Sequence, residues 1–76
     1  LINAKVSNDK KHNYDNIPEI KAEIKKLEKE FSGNGRILIR PSGTEPLVRV
    51  MIEGEDTDYI TTKAKNLAKL IEKNLN

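Results

Sequence analysis

Hydrophobic residues recur along this chain with two different periods. A short apolar start at Leu1–Ser7 predicts a strand, and the polar residues 8–15 after it show no period. Apolar residues then follow helical spacing, with charged residues on the other faces, at Ile17, Ile20, Ile24, Leu27 and Phe31. Asn16 and Glu19 stand in the positions of a capping box, so the pattern predicts an amphipathic helix from Asn16 to about Ser32.

A strand, a polar loop and a second strand are predicted after this helix. An apolar run ends at Arg40, and alternation of apolar and polar residues resumes over Leu47–Glu53. Pro41 and Pro46 remove backbone donors at the two ends of the loop, and Gly43 permits a left-handed or otherwise tight backbone. We therefore expect the loop to expose its own N–H groups.

A second amphipathic helix is predicted in the last part of the chain. Asp56, Thr57 or Asp58 can cap its N-terminus, where acidic groups meet the positive end of the helix dipole. Its apolar stripe consists of Ile60, Ala64, Leu67, Ala68, Ile71 and Leu75. The order of strand, helix, strand, strand, helix predicts an α+β fold, with a small antiparallel or mixed sheet and both helices on one face. We expect residues 1–76 to form a single small domain.

The composition is that of an ordinary globular chain and excludes several classes of function. Of the 76 residues 36% are hydrophobic and 34% charged, and the net charge of +2 is too small to indicate a nucleic-acid partner. The chain has no cysteine, which excludes disulfides and cysteine-based zinc sites. Its apolar runs are shorter than the roughly 18 residues of a membrane span, so we expect no membrane association and a cytoplasmic location.

All three arginines fall in the predicted hairpin, at positions 36, 40 and 49, whereas every other basic residue is a lysine. A guanidinium group offers a rigid fork of donors that fits phosphate or carboxylate. Two arginines beside exposed N–H and hydroxyl groups indicate an oxyanion site, in the first place for phosphate. The alternative is a solvated hairpin in which Ser42 and Thr44 only form the turn.

Side-chain alternation divides the hairpin into two faces. If Arg40 lies opposite Leu47, then Arg40 and Arg49 are diagonal neighbours on one face, about 7 to 8 Å apart, close enough to hold one phosphate. The other face carries β-branched residues and is expected to face the helices: Ile37, Ile39, Val48, Val50 and Ile52. Leu38, Leu47 and Met51 share the arginine face, where we expect a substrate or another part of the protein to pack.

No catalytic or metal-binding group can be assembled from these residues alone. Ser42 has no histidine near it in sequence and lacks the Gly-x-Ser-x-Gly pattern of a nucleophile elbow. His12, the single histidine, lies in a polar segment without a partner at ligand spacing, so we expect it to be solvated. The residues by themselves therefore indicate no catalytic mechanism.

The segment from Arg40 to Met51, RPSGTEPLVRVM, closely resembles the phosphate-binding loop in the last domain of the α-D-phosphohexomutases. Its continuation to Glu53 is most similar to the bacterial phosphoglucosamine mutase branch of that family. More loosely, the whole chain resembles the family's C-terminal, fourth domain, whose fold is called TATA-box-binding-protein-like. A start at Leu1 without methionine agrees with a piece of a longer, four-domain enzyme.

The resemblance implies an intramolecular phosphotransferase that interconverts glucosamine 6-phosphate and glucosamine 1-phosphate through a bisphosphorylated intermediate. The loop would bind the phosphate that is not transferred, through Arg40, Ser42, Gly43, Thr44 and Arg49. It also implies Mg²⁺ in the full-length enzyme and no cofactor in this chain. The partners would be the phosphosugar and the other domains of the same protein, and this domain alone would bind but not catalyse.

Three alternatives to this function remain open. The domain could belong to a phosphomannomutase or phosphoglucomutase, or it could be a standalone module that recognises phosphate or a phosphorylated peptide. Nucleic-acid binding through the open sheet face requires aromatic residues there. The aromatic residues Tyr14, Phe31 and Tyr59 lie outside the two central strands, so this third alternative ranks last.

Overall fold

The computed structural model describes residues 2–31, 33 and 35–76. Its elements run in the order β1 (Ile2–Lys5), a short 3-10 helix (Lys11–Asn16), α1 (Pro18–Glu30), β2 (Arg36–Pro41), β3 (Leu47–Glu53) and α2 (Thr57–Leu75). The predicted α+β order is therefore confirmed, while the predicted strand start at Leu1 and helix end at Ser32 lie outside the described residues. Within those residues, no helix combines the length and the apolar character that crossing a membrane requires.

The three strands form one antiparallel sheet in the order β1-β3-β2. β3 pairs with β2 through the hairpin and with β1 on its other side. Because both outer strands are antiparallel to β3, they run parallel to each other, and α1 makes the crossover connection between them. The strand that carries Arg49 is therefore at the centre of the sheet, and the strand that carries Arg40 is at one edge.

The hairpin register differs from the predicted one. Arg40 lies opposite Arg49 and not opposite Leu47, so the expected diagonal arrangement of the arginines is wrong. The hairpin continues one step further than expected, because the N–H of Ser42 donates to the carbonyl of Leu47 at 2.9 Å. A change of register by two residues keeps every side chain on its original face. The prediction that both arginines share one face is confirmed.

Both helices pack against the opposite face of the sheet and form the hydrophobic core. The five β-branched hairpin residues predicted to face the helices are all in this core or packed against it. The buried residues of the helices and of the segment after α1 are Ile20, Leu27, Phe31, Ala64, Leu67, Ala68, Ile71 and Leu75. Ile17, Ile24 and Ile60 are only half-buried. The two predicted apolar stripes are confirmed, and the core lies wholly on one side of the sheet.

The two helices begin in different ways. α2 begins after Asp56, whose Oδ1 accepts a hydrogen bond from the N–H of Tyr59 at 3.0 Å, as predicted for a cap. α1 begins at Pro18 after Ile17 and has no side-chain cap, so the predicted cap at Asn16 is wrong. Asn16 belongs to the preceding 3-10 helix, and a proline in the first turn needs no partner for a backbone N–H.

Candidate anion-binding site

The sheet face away from the helices carries three cross-strand pairs between β2 and β3. They are Arg36 with Glu53, Leu38 with Met51, and Arg40 with Arg49. The first is an ion pair, with Nε and Oε2 3.1 Å apart. The last places two positive charges opposite each other, on Cα atoms about 4.5 to 5.5 Å apart, an arrangement that destabilises a sheet. An anion bound between the two guanidinium groups would neutralise this repulsion.

Ser42 organises the loop between these strands. The residue is only 6% exposed, and its Oγ accepts hydrogen bonds from the N–H of Glu45 at 3.1 Å and of Thr44 at 3.4 Å. A hydroxyl oxygen accepts two hydrogen bonds and donates one, and no described residue accepts the hydroxyl proton of Ser42, which can therefore be donated to a ligand. The expectation of exposed N–H groups is therefore wrong for Thr44 and Glu45, because the serine side chain already binds both.

Gly43 does not provide the unusual backbone that the sequence led us to expect. Of the glycines that the structure describes, only Gly33 has a positive φ, 85°. A Cβ atom added at Gly43 would meet no atom within 4 Å. The absence of a side chain instead keeps the site open beside the Gly43 N–H, which has no hydrogen-bond partner among the described residues.

The two arginines and the loop line one open cleft of about 310 Å³. All five residues predicted as the phosphate site contribute to its walls, together with Pro41: Arg40, Ser42, Gly43, Thr44 and Arg49. This volume is at the lower end of the range of about 300 to 1,000 Å³ for small-molecule sites. The cleft is therefore large enough to admit a phosphate group. A second, more apolar depression beside it is lined by the same arginines and by Leu38 and Met51.

Lys11 lies beneath the loop, where the sequence pattern gave no sign of it. The residue is 5% exposed, although lysine is rarely buried, and its Nζ donates to the carbonyl oxygen of Glu45 at 3.2 Å. The sequence did not point to Lys11, because the polar segment around it shows no hydrophobic periodicity. Only the tertiary structure shows that the 3-10 helix folds back against the loop.

β1 adds two polar residues to the face that carries the arginines. Asn3 lies opposite Arg49 and Lys5 lies opposite Leu47, and both are exposed. Lys5 thus places a third exposed positive charge, after those of Arg40 and Arg49, near the loop end of the hairpin. Sequence reasoning missed both residues because the pairing of β1 with β3 joins segments that are far apart in the chain.

The residues described by the structure do not fit a metal ion. Over residues 2–31, 33 and 35–76 there is no cluster of three or more histidine, aspartate or glutamate side chains that could hold one. His12 is exposed, as expected for a solvated side chain. Arginine guanidinium groups, hydroxyls and a backbone N–H converge in the cleft, and this donor set is suited to an anion.

Comparison with known protein families shows which family the chain belongs to. Residues 1–70 match the family described as phosphoglucomutase/phosphomannomutase, C-terminal domain. The chain belongs to this family. The resemblance to the C-terminal domain of the phosphohexomutases, noted in the sequence, is therefore confirmed.

Curated relatives of this C-terminal domain carry the name phosphoglucosamine mutase. They include proteins of Thermoanaerobacter sp. (strain X514), 63% identical over the whole chain, Clostridium acetobutylicum, 63% over the whole chain, and Ruminiclostridium cellulolyticum, 64% over 95% of it. The chain spans only 17%, 17% and 16% of the lengths of these three relatives.

Proposed function

We propose that this chain is the substrate phosphate-binding domain of a phosphoglucosamine mutase, which interconverts glucosamine 6-phosphate and glucosamine 1-phosphate. Membership of the C-terminal-domain family and the names of the relatives support the proposal. The observation that carries it is the pairing of Arg40 with Arg49 beside Ser42 in one open cleft. Two like charges in this arrangement lower the stability of the sheet unless an anion lies between them.

Each residue of the cleft has a separate role in holding the phosphate. Arg40 and Arg49 bind it through charge-assisted hydrogen bonds from the two strands. The hydroxyl of Ser42 donates its proton, because both acceptor positions of its oxygen are used by the loop. Gly43 contributes its N–H and the space beside it, and Thr44 contributes its hydroxyl at the exposed end of the loop.

Anchoring one phosphate has a clear purpose in this reaction. Binding energy at the anchored phosphate holds the other end of the sugar in position for phosphoryl transfer elsewhere in the enzyme. A site that contacts only phosphate accepts either phosphate of the bisphosphorylated intermediate, so the intermediate can bind in both orientations. The domain binds without catalysing, and the Mg²⁺ implied by the family is held by residues outside this chain.

The phosphate-binding role is tested by an NMR titration of this chain with inorganic phosphate, glucosamine 6-phosphate and glucosamine. We expect the first two to shift the amide signals of Gly43, Thr44 and Glu45 and the side-chain signals of Arg40 and Arg49. Glucosamine, which lacks the phosphate, should shift none of them. No change with millimolar phosphate would contradict the proposal, and tighter binding of a phosphoserine peptide would favour a standalone recognition module.

The identity of the sugar is tested with the full-length protein. We expect mutase activity with glucosamine 6-phosphate to exceed the activity with mannose 6-phosphate or glucose 6-phosphate. Arg49→Ala should weaken substrate binding, because it removes half of the guanidinium pair. A preference for mannose or glucose phosphate would contradict the assigned substrate and would leave the phosphate-binding role intact. Unchanged kinetics in Arg49→Ala would contradict the role of the cleft.

A further inference from the structure

We propose that Lys11 is a positioning residue, which holds the loop in the conformation that binds the anion and adds a buried positive charge beneath it. This inference rests on the proposed phosphate-binding function of the loop. Lys11 is absent from the walls of the cleft, so it acts through the backbone of Glu45 and not by direct contact with the ligand.

The hydrogen bonds of the loop show why Lys11 matters. The carbonyl oxygen of Glu45 accepts from Nζ of Lys11 at 3.2 Å and from the N–H of Leu47 at 2.8 Å. The N–H of Glu45 donates to Oγ of Ser42. Both polar groups of the Glu45 backbone are thus fixed, and the only donor from outside the hairpin that reaches them, among the described residues, is Lys11.

Among the residues that the structure describes, no carboxylate forms an ion pair with Lys11. The one ion pair among the described residues joins Arg36 to Glu53 at the far end of the hairpin. A buried charge is costly unless an opposite charge or good hydrogen bonds compensate it, and the Nζ of Lys11 has one partner among the described residues, the carbonyl of Glu45. An anion in the adjoining cleft is the group that would complete the compensation.

A purely structural role would not require a lysine here. A methionine could fill the same volume with its apolar chain and would avoid burying an ammonium group. The lysine therefore makes sense if its charge and its hydrogen bond act on the anion site. The neighbouring Lys10 offers a direct comparison, because it is exposed and the one partner of its Nζ among the described residues is the carbonyl of Asn76, at 3.4 Å.

The test compares Lys11→Met with Lys10→Met in titrations with inorganic phosphate, at a temperature where both variants are folded. Both lose one positive charge. We expect Lys11→Met to bind phosphate about tenfold more weakly than the wild type, since hydrogen bonds to charged groups are worth more than neutral ones. Lys10→Met should bind within about twofold of the wild type, because exposed charges are screened by solvent and salt.

The NMR spectra distinguish a loss of loop positioning from a general loss of stability. Before phosphate is added, Lys11→Met should shift the amides of Gly43, Thr44 and Glu45 and leave those of Val50 and Ile71 in place. A lower melting temperature with an affinity equal to that of Lys10→Met would overturn the inference. If the wild type binds no phosphate, the proposed function and this inference both fail. If the wild type and both variants bind equally, only the inference about Lys11 fails.

A measurement on the wild type covers the case in which Lys11→Met does not fold. A buried, hydrogen-bonded ammonium group exchanges its protons slowly enough to be observed by NMR. We expect the ammonium signal of Lys11 and the carbonyl signal of Glu45 to shift in step with the Gly43 amide as phosphate is added. Signals of Lys11 and Glu45 that do not respond to saturating phosphate would overturn the inference.

Discussion

Arg40 of β2 lies directly opposite Arg49 of β3, on the sheet face that the helices leave open. The same face ends in a complementary pair, in which Arg36 and Glu53 form an ion pair between side chains that are 64% and 51% exposed. One hairpin therefore holds an attractive pair and a repulsive pair on the same ladder. The repulsive pair is next to the loop, at the proposed anion site.

Removing one charge of the repulsive pair should stabilise the protein when no anion is present. We expect Arg49→Gln to raise the free energy of unfolding by about 0.5 kcal/mol in phosphate-free buffer of low ionic strength. Arg36→Gln is the matched control, and it should lower this free energy by up to about 0.5 kcal/mol, because it breaks an exposed ion pair. Urea denaturation measures both changes. Equal destabilisation by the two substitutions would contradict the repulsion.

Phosphate should remove the stability advantage of Arg49→Gln over the wild type. A ligand that binds only the folded state stabilises it in proportion to the logarithm of its concentration over its dissociation constant. We expect added phosphate to raise the melting temperature of the wild type and of Arg36→Gln, and to have little effect on Arg49→Gln. The same rise in all three proteins would mean that phosphate acts without the arginine pair.

Ser42→Ala should affect the loop more than Thr44→Ala. The Ser42 substitution leaves the N–H groups of Thr44 and Glu45 without their acceptor and removes a donor to the anion. We expect a loss of about 1 to 2 kcal/mol of stability and weaker phosphate binding. Thr44 is exposed, so its substitution should weaken binding with little effect on stability. Thermal unfolding and phosphate titration of both variants would separate the two roles.

Substitution by alanine should affect stability at one glycine of the hairpin region and phosphate binding at another. A Cβ at Gly35 would collide with the backbone carbonyl of Glu53, so Gly35→Ala should cost about 1 to 3 kcal/mol of stability. A Cβ at Gly43 meets nothing, so Gly43→Ala should fold with unchanged stability and bind phosphate more weakly. Unchanged phosphate affinity in Gly43→Ala would place the anion away from the loop backbone.

Asp56→Ala should lower stability without affecting the site. The substitution removes the cap of α2, a change that costs about 1 kcal/mol. Asp58→Ala is the matched control in the same helical turn. It should lower the free energy of unfolding by only a few tenths of a kcal/mol, because it removes an interaction with the helix dipole and leaves the cap in place. Phosphate affinity, measured well below the melting temperature, should be the same in both variants and the wild type.

The sequence by itself determined the order of the three strands and two main helices, and which of their residues share a face. Spacing of 3.6 residues fixes which helix residues are buried, and a period of two fixes which hairpin residues share a face, because both follow from backbone geometry alone. These rules placed Arg40 and Arg49 on the same face of the sheet and assigned Ile37 and Val50 to the core. The residue types in the loop then led to the proposal of anion binding.

Only the tertiary structure decided the details that the site depends on. The pairing of Ser42 with Leu47 set Arg40 opposite Arg49, the hydroxyl of Ser42 took up the N–H groups of the loop, and the 3-10 helix brought Lys11 beneath Glu45. Each of these contacts depends on how the loop closes or on residues far apart in the chain, and local periodicity carries no information about either.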